Sequence, residues 1–388
     1  MPHQNIIQLQ IISKNSDYKI YKFKDILVDE TRKVKKIKKA DYLSKGKNPI
    51  VDQSKDFISG YTDCNDKIYK QYPYILFGDH TRVFKYINFE SYLGADGAKI
   101  INVHEKYSEK IDIKYIYYFL KSVGIPDTGY NRHFKYVKSL LFPVPPMELQ
   151  EKIVKVLDQA QALIDKRKEQ IEALDQLIES IFYTMFGDPV RNEKGWEVKE
   201  LEEVLLNNVS NIKKDFKDDI SYIDIGSINN NNNSIETYNN FKIKNAPSRA
   251  KRILNHGDIL FSTVRPNLKN IAIFDMYTEN TAIGSTGFCI IRVNESLVNN
   301  KYIFNVVKNK RLTGYLVKIA EGASYPAVKD SDIKSIKISI PPLSLQNEFA
   351  QKVQIIEKQK ELLEESLELL DENYKSIMDR AFKGQLFN

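Results

Sequence analysis

Two stretches of the chain carry a stripe of residues alternately four and three positions apart. In the first, the stripe runs through Ile153, Leu157, Ala160, Ile164, Arg167, Ile171, Leu174, Ile178, Ile181 and Met185. In the second it runs through Phe349, Val353, Ile356, Lys360, Leu363, Leu367, Leu370, Tyr374, Ile377 and Ala381. This mostly apolar spacing places one seam on one face of a helix and predicts a coiled coil. Pro145-Pro146 and Pro341-Pro342 stand at the start of each stretch. Proline suits that place, because its ring presets φ and its missing N–H is one that the first turn leaves unpaired. About 40 residues at roughly 1.5 Å each give a rod of ~60 Å.

Elsewhere the pattern shortens. PYILFGD, KIINV, SYIDIGS, GDILFSTV, IAIF and GFCIIRV are brief apolar or alternating runs bounded by Gly, Asp and Asn, as strands are. IDIKYIYYFLKSV (111–123) and NNKYIFNVVKNKRL (299–312) have helical apolar spacing. Each part outside the long helices is therefore expected to mix α and β.

The pattern occurs twice. Lys138, Ser139, Pro145, Pro146, Leu149 and Gln150 match Lys334, Ser335, Pro341, Pro342, Leu345 and Gln346 at a constant offset of 196. Leu174, Asp175, Ser180, Ile181 and Phe186 continue the match onto Leu370, Asp371, Ser376, Ile377 and Phe382. Near the beginning of each half, DYKIYKFKDIL from Asp17 aligns with GWEVKELEEVL from Gly195 at an offset of 178. Ile20, Phe23 and Ile26 then meet Val198, Leu201 and Val204. Each half thus runs from a globular part into a long helix, and the second globular part is longer by 18 residues. Such a repeat decides the architecture before any single motif does.

Composition changes this picture little. At 388 residues, 42% hydrophobic and 28% charged, the chain is expected to form two soluble domains. No run of about 18 apolar residues occurs, and MPHQNIIQLQ lacks the layout of a secretory signal, so a cytoplasmic location is expected. Cys64 and Cys289 stand apart and outside any C-x-x-C, which gives no support to a disulfide or zinc site. The net charge of +7 is modest, but Thr31 to Lys47 holds eight Lys/Arg against the single acid Asp41. That run reads as a solvated or phosphate-facing surface rather than a specific reader, and Asn229 to Asn233 reads as a low-complexity loop.

Two kinds of polar loop stand out in each half. ILFGDHTRVFK offers His80, Thr81 and Arg82 after a strand, and ILFSTVRPNLKN offers Ser262, Thr263, Arg265, Asn267 and Lys269. Just before each long helix, TGYNRHFKYVKS offers Tyr130, Asn131, Arg132 and His133, and EGASYPAVKDSDIKS offers Ser324 and Tyr325. Short polar groups beside Arg suit phosphates and base edges, since Arg forks onto guanine and Asn onto adenine. The ordinary alternative is a solvated turn.

Taken together, the duplicated PVPPMELQEKI and SIPPLSLQNEF, the junction FGDPVRNEKGWEVKEL, the closing RAFKGQL and GDILFSTVRPNLKN carry a resemblance in their order along nearly the whole chain. The chain resembles the specificity (S) subunits of type I restriction-modification systems, the HsdS family. The resemblance implies an α+β architecture: two mixed α/β target-recognition domains held apart by two long antiparallel coiled-coil helices. The corresponding boundaries are 1–144, 145–188, 189–340 and 341–388. It also implies a non-catalytic, DNA-binding subunit that reads an asymmetric bipartite target in double-stranded DNA. Two methyltransferase subunits using S-adenosylmethionine to methylate adenine would dock on it, with restriction subunits as a further partner and no membrane. The resemblance gives this chain no cofactor of its own.

Absent motifs agree with that expectation. Both Pro-Pro pairs lack the preceding Asp or Asn and the following aromatic residue of an amino-methyltransferase, and no G-x-x-x-x-G-K-[ST] loop occurs. Asp112-Ile113-Lys114 and Asp332-Ile333-Lys334 are D-x-K triplets of the nuclease kind without a convincing acidic partner upstream. The readings left open are a coiled-coil scaffold without sequence-specific DNA binding, and a standalone nuclease or methyltransferase.

Overall fold

The computed structural model describes residues 18–94, 96–213, 215–322 and 325–387. The opening segment MPHQNIIQLQ, Asp17 and the loop residue Ser324 lie outside them. The chain divides into two compact units, residues 1–169 with 365–388, and residues 170–364. Both heptad stretches form unbroken helices of 40 residues, Met147–Phe186 and Leu343–Phe382. The division between units passes through each of them.

In the first unit, Leu157 and Ile164 of the first long helix share a core with Tyr374, Met378, Ala381 and Phe382 of the second. In the second unit, Phe182 and Phe186 share a core with Phe349 and Val353. Within each unit, the beginning of one long helix therefore packs beside the end of the other. A polar seam position in the second unit is satisfied rather than wasted: Lys360, 13% exposed, donates to both Asp175 carboxylate oxygens at 2.7 and 2.8 Å.

The Pro-Pro repeat has a structural cause. Gln150 is fully buried and its amide donates to the carbonyls of Pro145 and Lys110, while its oxygen accepts the N–H of Asp112. Gln346 does the same in the second unit, donating to Pro341 O and accepting from Asn299 N–H. Each glutamine ties the start of a long helix to the start of a shorter one, Ile113–Ser122 or Asn300–Val307, leaving few polar groups at that buried junction unpaired.

The two sequence offsets meet in one ladder per unit. Lys19–Lys22 pairs antiparallel with Leu141–Val144, and Glu197–Glu200 pairs antiparallel with Lys337–Ile340. Ile20 faces Pro143 as Val198 faces Ser339, so the first strands obey the offset of 178 and the second strands that of 196. Between the strands of each ladder lies the globular part.

In the first unit a four-stranded antiparallel sheet has the order Leu27–Asp29, Ala98–Val103, Tyr74–Gly78 and Phe84–Ile87. A second, mixed sheet has the order Lys36–Ile37, Tyr92–Gly94, Asn48–Val51 and Gly60–Thr62. The second unit has a three-stranded antiparallel sheet, Ile271–Ile273, Ile259–Ser262 and Phe288–Ile291, beside a mixed four-stranded one. Tyr74–Gly78 and Ile259–Ser262 are buried throughout, which suits the unbroken apolar runs that predict them.

One predicted helix divides. Residues 299–312 form the end-to-end pair Asn300–Val307 and Lys310–Ile319, because Asn309 leaves the helix and its side chain accepts the Arg311 N–H at 2.8 Å. Asparagine at that place starts a new helix rather than continuing the old one. No helix among the described residues is long and apolar enough to cross a membrane.

Cys289 is buried in the three-stranded sheet, and burial pushes its thiol up to about 12. Cys64 is half-buried. A maleimide reagent at neutral pH is expected to label one thiol in the folded chain and two in denaturant, because Cys289 stays protonated and enclosed. Two equivalents taken up rapidly under native conditions would contradict this placement.

Candidate nucleic-acid interface

Both globular parts end their central strand in a loop that is clipped to the segment before the long helix. In the first unit, the Asp79 carbonyl accepts the His133 backbone N–H at 2.9 Å, and the Asp79 carboxylate accepts the Phe134 N–H at 2.7 Å. In the second unit, the Thr263 carbonyl accepts the Val328 N–H at 2.9 Å, and the Pro326 carbonyl accepts the Arg265 N–H at 2.7 Å. Two loops far apart in sequence are thereby held as one surface in each half.

The same backbone twist recurs at the arginine of each first loop. Arg82 and Arg265 have φ of 61° and 51°, in the left-handed region that non-glycine residues seldom occupy. Such strain persists only where surrounding bonds over-determine it. Here the bonds are visible. The Gly78 carbonyl accepts the Arg82 N–H at 2.7 Å, and Gln53 accepts the His80 N–H and the Thr81 hydroxyl. Asn230 and Asn233 donate to the carbonyls of Leu268 and Lys269 and brace the second loop.

Each arginine reaches across to the second loop of its own unit. The Arg82 guanidinium meets Asp127 at 2.7 Å. A backbone N–H from Gly129, together with that guanidinium, holds the Asp127 carboxyl below its usual value, so the carboxylate stays ionised at neutral pH. Arg265 instead lies over the Tyr325 ring, 4.4 Å from its centre. Tyr130 stacks on His80 with ring centres 4.8 Å apart and planes within 10°.

Not every residue expected at this surface reaches it. His133 is fully buried; its Nδ1 donates to the Asp79 carbonyl at 2.9 Å, leaving Nε2 to accept from Thr128. It fastens the loops and offers no face for a ligand. Ser262 and Thr263 are buried as well, donating their hydroxyls to Val264 O and Gly287 O. Lys269 turns back toward the protein, its ammonium donating to Lys308 O at 3.3 Å, and desolvation pushes its pKa down. The Thr81 hydroxyl is committed to Gln53. Exposed are Thr81, Tyr130, Asn131 and Arg132 in the first half, and Arg265, Asn267 and Tyr325 in the second, while His80 and Arg82 are half-buried.

Sequence reasoning missed Asp127, Gln53, Asn230 and Asn233. Asp127 carries a signal, since Asp two residues before Gly makes a local turn, and its carboxylate does accept the Gly129 N–H. Gln53 carries none. The D-x-K triplets resolve into local structure: Asp112 accepts the Lys114 N–H at a helix start, Lys114 pairs with Asp158, and Asp332 accepts the Lys329 N–H. In the basic run, Lys33 pairs with Glu30 while Arg32, Lys36, Lys38 and Lys39 are exposed.

The chain is similar to known proteins along most of its length. It is 26% identical over 270 residues to a putative type I restriction enzyme MjaX specificity subunit of Methanocaldococcus jannaschii, covering 64% of this chain and 60% of that protein. It is 25% identical over 286 residues to the type I restriction enzyme MjaIX specificity subunit of the same organism, covering 64% and 65%. The chain thus matches somewhat less than two thirds of the length of these relatives. In fold it resembles the crystal structure of a type I restriction-modification system S subunit from M. genitalium, with 15% identity, a TM-score of 0.51 and coverage of 94% of this chain and 96% of that one. The family model described as type I restriction modification DNA specificity domain matches residues 15–174 and again 193–372. By that double match, which follows the structural repeat, the chain belongs to the type I restriction modification DNA specificity domain family.

Proposed function

We propose that this chain is the sequence-reading subunit of a type I restriction-modification complex, without chemistry of its own. The observation that carries the proposal is the duplicated pair of clipped loops, each presenting a strained arginine beside an exposed tyrosine. Residues 1–144 and 189–340 act as two recognition domains, and 145–188 and 341–388 as antiparallel helices that set their spacing. The two loop pairs arrange their outward residues differently, with Asn131 and Arg132 on the second loop of the first half and Asn267 on the first loop of the second, so their half-sites differ and the target is asymmetric with an unread spacer. In the first half, Arg82, Tyr130, Asn131 and Arg132 contact DNA. In the second, Arg265, Asn267 and Tyr325 do. Arg and Asn provide the forked donors that base edges require, while exposed Lys and Arg of the run 32–39 neutralise phosphate. The long helices offer docking surfaces for two methyltransferase subunits, which bring S-adenosylmethionine to adenine, and restriction subunits join through them.

Methylome sequencing of the source cell with and without this gene tests the proposal. Loss of one split adenine motif, with the other methylation marks intact, is the expected result. An unchanged methylome in a strain whose methyltransferase partners are expressed would overturn it.

A further inference from the structure

The two halves share a feature that base-edge reading does not require. Tyr130 is 91% exposed and Tyr325 is 68% exposed, each on a loop otherwise made of small and polar residues. A tyrosine ring left so open forgoes most of its burial energy. Yet neither ring is loose: Tyr130 lies parallel on His80, and Tyr325 lies against the Arg265 guanidinium. The backing groups are themselves fixed. Gln53 accepts the His80 N–H, and His80 Nδ1 is buried without a partner among the described residues, so stacking is what its ring does there. Arg265 is fixed by its backbone bond to Pro326.

The positions correspond as well. Tyr130 and Tyr325 each stand three residues before the residue whose N–H closes the clip, His133 or Val328. The first loop supplies the backing plate in both units, although the plate is an imidazole in one and a guanidinium in the other. Different sequences have thus arrived at the same object, a flat ring supported on one side, 4.8 Å from the centre of its backing imidazole in one unit and 4.4 Å from its backing guanidinium in the other.

We infer that Tyr130 and Tyr325 are wedges, each inserting its unsupported face between neighbouring base pairs of its own half-site. The inference rests on the proposed DNA-reading function and deepens it. Chemistry on a base inside a duplex needs that base out of the stack, and an inserted ring occupies the gap and lowers the cost of opening it. A cationic or polar plate behind the ring keeps it from folding back onto the protein, so insertion costs little side-chain entropy.

The test is a scan of duplexes carrying the target that methylome sequencing returns, each with one base replaced by an abasic site. A wedge must separate stacked bases, so an abasic site at its step removes that cost. The full chain is expected to bind such a duplex on the order of tenfold more tightly than the intact one, at one step in each half-site. Tyr130→Ala should abolish one of these two maxima and Tyr325→Ala the other, while Tyr130→Phe and Tyr325→Phe keep both, since the ring and not the hydroxyl does the work. A flat scan by the unaltered chain, or maxima that survive both alanine variants, overturns the wedge while leaving sequence-specific binding in place. Equal affinity for target and scrambled duplex overturns the DNA-reading function itself, and the wedge with it.

Discussion

Asp258→Ala is expected to cost about 3–5 kcal/mol of folding stability, the loss typical of removing one partner from a buried ion pair. Asp258 is 1% exposed and grips Arg292 with both oxygens, at 2.8 Å to Nε and 2.7 Å to a terminal nitrogen. The remaining guanidinium protons go to the carbonyls of Ile253 and Asn208 and to the Asn208 side chain. Without the carboxylate, a charge that cannot leave the interior loses its counter-charge, and that penalty exceeds what the pair itself contributes. Urea denaturation should show a lowered midpoint with an unchanged slope. The double substitution to apolar residues of similar size should recover much of the loss. A drop below about 1 kcal/mol for Asp258→Ala would mean that water reaches the arginine. Asp258 stands just before the strand Ile259–Ser262, whose far end leads into the Arg265 loop proposed above to contact DNA.

Much of this architecture is legible in the sequence because helices and strands write their periods into it. The heptads locate both long helices, and the two offsets of the repeat return as the two strands of each ladder. The proline-glutamine spacing is equally legible as a repeat, but its reason is not. Nothing at Gln150 reveals that its partners are backbone groups at 110 and 112, which only the fold brings near. Direction is lost in the same way. Ser262, Thr263 and His133 are polar, and polarity alone suggests exposure; in the fold their hydrogen bonds are internal, so they can be buried at little cost. Tyr130 and Tyr325 are large rings whose small, polar loop neighbours point to the surface, and there the loop sequence is the better guide than the side chain's own apolarity. The asymmetry has one physical source: period and turn chemistry are local, whereas the partner of a polar side chain is set by tertiary contact. Asp127 against Arg82 and Gln53 behind His80 are contacts of that kind.

Exchange of residues 1–144 for the same segment of a related subunit should change one half-site of the methylated motif and leave the other intact. Every bond described for the first proposed reading surface lies within that segment: Asp79 to His133, Arg82 to Asp127, Gln53 to His80 and Tyr130 on His80. The second surface is closed upon itself in the same way, from Thr263 to Val328 and from Arg265 to Pro326 and Tyr325. What crosses the junction is less particular, apart from the bonds of Lys114 and Tyr118 to Asp158, which the donor segment should also keep. Gln150 binds the backbone at 110 and 112, and a backbone is supplied by any relative that keeps the loop. The apolar contact with Leu157, Ile164 and Phe382 is more demanding, so the donor should retain bulky apolar residues at Tyr115, Ile116 and Phe119. Given that match, refitting these apolar side chains against the helices should cost under about 1.5 kcal/mol, too little to unfold a unit, whereas replacement of several base contacts at ~1–3 kcal/mol each redirects binding completely. Methylome sequencing of cells carrying the hybrid reads the result directly. A motif altered on both sides of the spacer, or on neither, would show that the halves do not read DNA independently.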